Sequence, residues 1–160
     1  MPEDKQEQNQ LKYQNYREQF KRLNKAITQN FYLEAVFIEY AVMEDRTESI
    51  IRHAGKWEAY LKKRGKYEPT LDSKIRYISS QMEANRKDLL RRYFNDGCLN
   101  RILTWKEERN RLIHALLKQK LTTEELASLA EQGRDIARQL SNKATNYNRA
   151  IEKKRAMESI

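Results

Sequence analysis

Residues that interrupt regular secondary structure are scarce in this chain. Only four glycines and two prolines occur among its 160 residues, and these two residue types are the strongest breakers of helices and strands. Lys, Glu, Gln, Arg and Leu are abundant, and all of them are good helix formers. The sequence therefore predicts an all-α protein, in which long helices joined by short turns form an up-and-down bundle of about five helices.

The length and apolar content of the chain bear on its organisation. A chain of 160 residues suits one domain, and it has no repeat, low-complexity segment or internal boundary. We predict a flexible N-terminus over residues 1–9 and a single helical domain over residues 10–157. Hydrophobic residues make up 39% of the chain, so the core is thin for this length. Either some helices are solvated on all sides or two chains share a core, and we expect a homodimer.

Residues 31–51 form the most hydrophobic segment of the chain. The segment is apolar nearly all round, which predicts a central buried helix. A buried strand is the alternative for so short an apolar run, but the helical spacing of the residues that follow favours the helix. The segment also contains Glu39, Glu44 and Glu48, and we expect these acidic residues to support the functional site described below.

The chain is strongly basic, with a formal net charge of +9. Such a charge favours a polyanionic partner, either nucleic acid or an anionic membrane surface, and does not choose between them. No run approaches the ~18 apolar residues of a membrane span, and we expect no membrane partner. The N-terminus is polar and unlike a signal peptide. Cys98 is the only cysteine, so the expected location is cytoplasmic.

Basic and aromatic residues alternate between residues 56 and 67. The candidate RNA-binding residues in this segment are Lys56, Trp57, Lys62, Lys63 and Arg64. Aromatic rings placed among cations can stack on unpaired bases. The alternative is that these aromatic residues only pack a connecting segment onto the bundle.

A helical pattern near residue 110 contains an unusually placed arginine. Apolar residues recur at spacings of three and four, at Leu99, Ile102, Leu103, Leu112, Ile113, Leu116 and Leu117. They form one arc of a helix. Arg109 falls near the middle of this arc, and Asn110 and His114 lie one turn apart on its edge. A guanidinium stays charged and is costly to bury unpaired, so Arg109 needs a carboxylate from segment 31–51, a water-lined cleft or a bound anion.

Arg109, Asn110 and His114 resemble the signature of the HEPN superfamily, in which Arg is followed by four to six residues and then His. Asn, Asp or His is common directly after the Arg in that family, and Asn110 matches this position. The resemblance extends over roughly residues 10–150. It implies a helical bundle in which a long hydrophobic second helix packs beside the motif helix. It also implies a dimer formed through the motif region and, in many members, metal-independent ribonuclease activity.

The chemistry that the resemblance implies needs no metal ion or cofactor. The 2′-hydroxyl of the RNA attacks the phosphodiester, which requires a base, an acid and a cation for the phosphorane charge. Histidine exchanges protons near neutral pH, arginine binds phosphate through two hydrogen bonds, and Asn110 can orient either group. Because one imidazole cannot be base and acid in the same step, we expect a composite site in which a homodimer places two copies of His114 and Arg109 in one cleft. The expected products are a 2′,3′-cyclic phosphate and a 5′-hydroxyl.

Other site chemistries lack the residues that they need. Two histidines and one cysteine give no zinc-site spacing, and the chain has neither a Gly-rich phosphate loop nor a nucleophile-elbow serine. Our first hypothesis is a HEPN-type endoribonuclease, acting as a toxin or defence effector with an antitoxin or other partner protein. The second is a non-catalytic HEPN-like module that binds RNA or protein. The third is a basic helical bundle with a structural role on nucleic acid or membrane.

Overall fold

Seven α-helices make up the fold in a computed structural model that describes residues 2–160, with side chains described from Asp4 onward. The helices are α1 (Pro2–Thr28), α2 (Tyr32–His53), α3 (Trp57–Arg64), α4 (Leu71–Ala84), α5 (Leu89–Phe94), α6 (Cys98–Ala115) and α7 (Thr123–Glu158). No strand occurs within these residues, so the all-α prediction is confirmed. The helices are more numerous than the expected five or so because the short helices α3 and α5 interrupt the connections between the long ones.

Helix α2 lies at the centre of the bundle. It packs most extensively along α7 and also contacts α1, α3 and α4. Buried residues spread over a wide arc of the helix, including Ile38, Met43 and Ile51, join the main core. A helix with neighbours on several sides must be apolar nearly all round, which is the pattern that the sequence shows for this segment.

Helices α6 and α7 meet closely at a small residue. The indole Nε1 of Trp105 donates a hydrogen bond of 2.9 Å to the carbonyl oxygen of Leu129 on α7. One turn further along α7, Gly133 is buried beside Glu39 and Trp105. Any larger residue at Gly133 would hold α7 away from α2 and α6. This contact fixes the axial position of the motif residues of α6 relative to α7.

Local signals in the sequence fix where the helices begin. Thr122 begins α7 with a capping box, in which its hydroxyl accepts a hydrogen bond of 3.2 Å from the backbone N–H of Glu125. The Glu125 carboxylate in turn accepts one of 3.0 Å from the backbone N–H of Thr122. Asn30, with a φ of 62°, makes the tight break between α1 and α2.

The first and last helices extend close to the two ends of the described part of the chain. Helix α1 begins at Pro2, so residues of the segment that we expected to be flexible, 1–9, have helical backbone. The side chains from Asp4 to Asn9 are exposed. Met1 lies outside the described residues. Within the described part of the chain, no helix is both long enough and apolar enough to cross a membrane.

Candidate functional site

Arg109 rests on an aromatic ring at the interface between α6 and α2. Its guanidinium carbon lies 4.3 Å from the centroid of the Tyr40 ring, which is the distance of a favourable cation–π contact. Its Nη1 donates a hydrogen bond of 3.0 Å to Oδ1 of Asn110. The Nε atom is buried and has no hydrogen-bond partner among the described residues. The structure therefore holds Arg109 and Asn110 together, with the guanidinium partly removed from solvent.

No salt bridge joins Arg109 to a carboxylate among residues 4–160. Glu44 instead pairs with the buried amine of Lys74, and Glu48 pairs with Arg52 at 2.7 Å. Glu39 is fully buried, and burial raises the pKa of its carboxyl to about 9, so it is neutral at pH 7. The three glutamates of the central helix thus do not supply the anion that Arg109 needs.

His114 lies in the last turn of α6, and its side chain is exposed. It forms no hydrogen bond with any described residue. On an α-helix, Asn110 and His114 stack one turn apart, whereas Arg109 and His114 are separated by roughly 140° of rotation and ~7.5 Å of rise. Asn110 therefore lies between the other two. The side chains of Arg109 and His114 in one chain do not reach the same atom of a ligand.

Tyr40 is a part of this site that the sequence did not reveal. Burial raises the pKa of its hydroxyl above the usual range, and the negative charge of Glu44 adds to the effect. No spacing within α2 marks this tyrosine, because its role comes from a contact between two helices that are distant in sequence.

A neighbouring ion pair neutralises another cation on the same face of α6. The amine of Lys106 lies 2.9 Å from Oδ1 of Asp72. Arg76 also binds Asp72, at 2.6 Å, and these two hydrogen bonds lower the pKa of the Asp72 carboxyl. Lys106 therefore has a counter-ion within the chain. Arg109, one turn beyond Lys106, has no counter-ion among the residues that the structure describes.

The end of α6 exposes large apolar side chains. Ile113 is 38% exposed, Leu116 is 37% exposed and Leu117 is 96% exposed. The first part of the predicted apolar arc is buried, at Leu99 and Ile102. The arc therefore changes from core to open surface where His114 lies.

The segment predicted to bind RNA is packed more tightly than its composition suggests. The Arg52 guanidinium covers the ring of Trp57 at 4.2 Å, and the Tyr60 ring lies 5.2 Å from the same ring. Lys56 donates a hydrogen bond of 2.6 Å to Gln81, and Arg64 donates one of 2.6 Å to the carbonyl oxygen of Glu68. Lys62 and Lys63 remain exposed. Trp57 and Tyr60 thus pack this segment onto the bundle, which is the alternative that the sequence left open.

The donor groups of a metal site are not gathered anywhere in the described part of the chain, where no cluster of three or more His, Cys, Asp or Glu residues could hold an ion. Cys98 is buried, and burial raises the pKa of its thiol, which makes it a poor nucleophile. In comparisons with known proteins, the chain matches no protein-family model, no curated protein and no solved structure.

Proposed function

We propose that this chain is a metal-independent endoribonuclease of the HEPN type, whose active site is completed by a second copy of the chain. The observation that carries the proposal is Arg109, a partly buried cation that has no carboxylate partner among the described residues and lies beside Asn110. An RNA phosphate is the anion that best matches a guanidinium in this setting.

The surroundings of Arg109 suit a phosphate ligand. The Tyr40 ring covers one face of the guanidinium, and the bond from Nη1 to Asn110 fixes its rotation. The Nη2 group has no hydrogen-bond partner among the described residues, so it is free to donate to a phosphate oxygen. A cation held in place before the reaction stabilises developing negative charge without reorganising.

Cleavage in this site uses the ribose as its own nucleophile. His114 of one subunit takes the proton from the 2′-hydroxyl, whose oxygen forms a bond to phosphorus. The bond from phosphorus to the 5′-oxygen breaks, and the partner subunit's His114 gives that oxygen a proton. Arg109 neutralises the charge on the phosphorane. The products are a 2′,3′-cyclic phosphate and a 5′-hydroxyl.

Two subunits are needed because of the helical geometry. Arg109 and His114 of one chain are separated by roughly 140° of rotation about α6, and a two-fold axis near the helix end would place each beside the same residue of the other copy. The exposed side chains of Ile113, Leu116 and Leu117 surround this position and give the two copies an apolar contact.

Cleavage of a labelled single-stranded RNA by purified protein in EDTA tests the proposal. The wild type should produce 2′,3′-cyclic phosphate ends, and His114→Ala and Arg109→Ala should each lower the rate by roughly 10²–10⁴-fold. The matched control is His53→Gln, which alters the other histidine. His53 bonds to the carbonyl oxygen of Ser49 at 2.9 Å, at the end of α2, and its replacement should leave the rate unchanged. Loss of activity in EDTA, or full activity in His114→Ala, would show the proposal to be wrong.

A non-catalytic HEPN-like module that binds RNA or protein is the second candidate. The observation that favours it is that no described residue orients the His114 imidazole. This candidate predicts that wild type and His114→Ala bind RNA equally and that neither cleaves it.

The biological role that we propose for an active enzyme is that of a toxin or defence effector acting on cytoplasmic RNA under the control of an antitoxin protein. Expression of the wild type in a bacterial host should then arrest growth, and expression of His114→Ala should not. Equal growth with both proteins would contradict this role.

A further inference from the structure

A second surface, separate from the motif on α6, has the basic and aromatic residues of a site for a polyanion. It is a groove of about 520 Å³ between α1 and α7, which we call the α1–α7 groove. Its lining consists of Asn9, Lys12, Tyr13, Tyr16, Arg17, Phe20, Lys21, Asn24, Arg46, Ser141 and Thr145. Neither the charge of the chain nor the periodicity of α1 predicts this groove, because α7 joins it from more than 100 residues away.

The charged residues that line the α1–α7 groove are all basic. Lys12, Arg17, Lys21 and Arg46 line it, and no acidic residue does. Lys12 and Arg46 share the carboxylate of Asp45, at 3.2 Å and 2.7 Å. Arg17 and Lys21 form no salt bridge with any residue from Asp4 onward. They lie one turn apart on α1, where like charges repel each other. A bound polyanion would therefore offset the repulsion between Arg17 and Lys21.

An open aromatic ring lies beside these cations. Tyr13 is 64% exposed, and the guanidinium of Arg17 lies 5.8 Å from the centroid of its ring. Tyr16 is already engaged, because Arg46 covers its ring at 4.2 Å and its hydroxyl donates a hydrogen bond of 2.5 Å to Asp45. The third ring of the groove, Phe20, is half-buried and packs against the core. Tyr13 is therefore the open ring of this groove that can stack on a base.

We propose that the α1–α7 groove binds single-stranded RNA and holds it for cleavage at the proposed site on α6. Arg17 and Lys21 contact backbone phosphates, and Tyr13 stacks on an unpaired base. A duplex has no free base faces for such a ring, so the single strand is the form that matches. The choice of RNA over single-stranded DNA rests on the proposed function. The assignment of the groove as a surface that binds a single strand is independent of that function.

The groove is separate from the motif on α6. Trp105, one turn before Arg109, bonds to Leu129 of α7, whereas the groove reaches α7 at Ser141 and Thr145. Leu129 and Thr145 are separated by ~24 Å of helical rise. A strand held in the groove thus contacts the protein at a second place, far from the bond that is cut.

Fluorescence anisotropy with a fluorescein-labelled single-stranded RNA tests this inference, with all variants made in a His114→Ala background so that the RNA stays intact. Arg17→Glu/Lys21→Glu should weaken binding by at least about tenfold and make the salt dependence shallower by about two in slope. The matched control is Arg86→Glu/Lys87→Glu, which makes the same charge change on an exposed arginine and lysine between α4 and α5 and should have little effect. Thermal unfolding followed by circular dichroism confirms that all variants are folded.

The aromatic contribution is tested with a second pair of variants. Tyr13→Ala should weaken RNA binding by roughly tenfold, as expected for loss of one stacked base. Phe31→Ala, which removes an aromatic ring that is 57% exposed outside the groove, should not.

Several outcomes would overturn the inference. One is that the two charge-reversal variants weaken RNA binding equally. Another is that the protein binds a duplex of the same length as tightly as the single strand. A third is that Arg17→Glu/Lys21→Glu keeps its affinity for RNA but no longer binds phosphatidylserine vesicles. RNA binding in the groove by a wild-type protein that does not cleave RNA would instead contradict the proposed ribonuclease activity and leave the groove assignment standing.

Discussion

Glu39 is a buried acidic side chain whose protonation state affects the stability of the whole fold. It is 0% exposed, and neither carboxyl oxygen has a hydrogen-bond partner among the described residues. Burial raises the pKa of this carboxyl from 4.5 to about 9, and the charge of Arg134 offsets this only in part. The unfolded chain therefore releases the Glu39 proton at a lower pH than the folded chain does, so the free energy of unfolding falls as the pH rises between these two values.

Glu39→Gln should remove this pH dependence, because the amide is neutral at every pH. We expect the variant to be more stable than the wild type at pH 8, by on the order of a few kcal/mol, and the advantage to shrink towards pH 5 by at most about 1.4 kcal/mol per pH unit. Urea unfolding at a series of pH values measures the difference. A constant difference between the two proteins from pH 5 to pH 8 would contradict a raised pKa at Glu39.

Gly133 is the residue that allows α7 to approach α2 and α6. A Cβ atom at this position would overlap Oε2 of Glu39 and lie 2.7 Å from Nε1 of Trp105. Gly133→Ala should therefore lower the free energy of unfolding by about 1–3 kcal/mol through overpacking, even though alanine is the better helix former. The control is Glu131→Ala on the exposed side of α7, which should change stability by less than about 0.5 kcal/mol. Equal stability of Gly133→Ala and the wild type would contradict this helix contact.

At the scale of elements, a buried ion pair joins α2 to α4. Lys74 on α4 is 3% exposed. Its amine pairs with the carboxylate of Glu44, donates a hydrogen bond of 3.3 Å to the Glu44 carbonyl oxygen and lies 4.0 Å from Glu48. A buried amine is costly without these partners. The contact therefore fixes the position of α4 along α2, and α4 also supplies Asp72 to the neighbourhood of Arg109.

Glu44→Gln should be strongly destabilising because it leaves Lys74 buried with a weakened partner set. We expect a loss of about 3 kcal/mol in urea unfolding, and partial recovery when Lys74→Met is added. Lys154→Ala is the control, because it breaks an exposed pair with Glu158 at 3.9 Å and should cost less than about 1 kcal/mol. A double variant less stable than Glu44→Gln would show that Lys74 stabilises the helix contact through other interactions.

At the scale of the whole molecule, exposed apolar side chains occur in several places, and two of them are candidate contacts between copies of the chain. One is the end of α6, with Ile113, Leu116 and Leu117, and the other includes Phe37 of α2, which is 71% exposed. The proposed composite site requires the first of these surfaces to be the contact between two copies. Lysine substitutions on each surface, followed by measurement of the oligomeric state, show which of the two surfaces joins the copies.

Ile113→Lys/Leu117→Lys should convert the proposed dimer to a monomer, because two like-charged, hydrated amines would face each other across its two-fold axis. Phe37→Lys should leave the dimer intact, since α2 lies outside the proposed contact. Sedimentation velocity at micromolar concentration measures both effects. A monomeric wild type, or dissociation by Phe37→Lys alone, would rule out the composite site at the end of α6.

Much of the fold could be predicted from the sequence because helix-forming composition and hydrophobic spacing are local properties. The scarcity of Gly and Pro predicted the all-α class, and segment 31–51 was predicted to be a central helix, as observed for α2. The same patterns led us to expect about five helices, whereas residues 2–160 form seven, two of which are the short helices α3 and α5.

The sequence by itself determined which residues could meet on one helix, and the tertiary structure decided which of them have partners. Arg109, Asn110 and His114 were placed on α6 by their spacing alone. The cation–π contact with Tyr40, the neutral state of Glu39 and the pairing of Glu44 with Lys74 depend on helices that are distant in the chain. The α1–α7 groove has the same origin. Contacts of this kind arise from packing and burial rather than from local spacing, and for that reason only the tertiary structure could show that Arg109 has no carboxylate partner among the described residues.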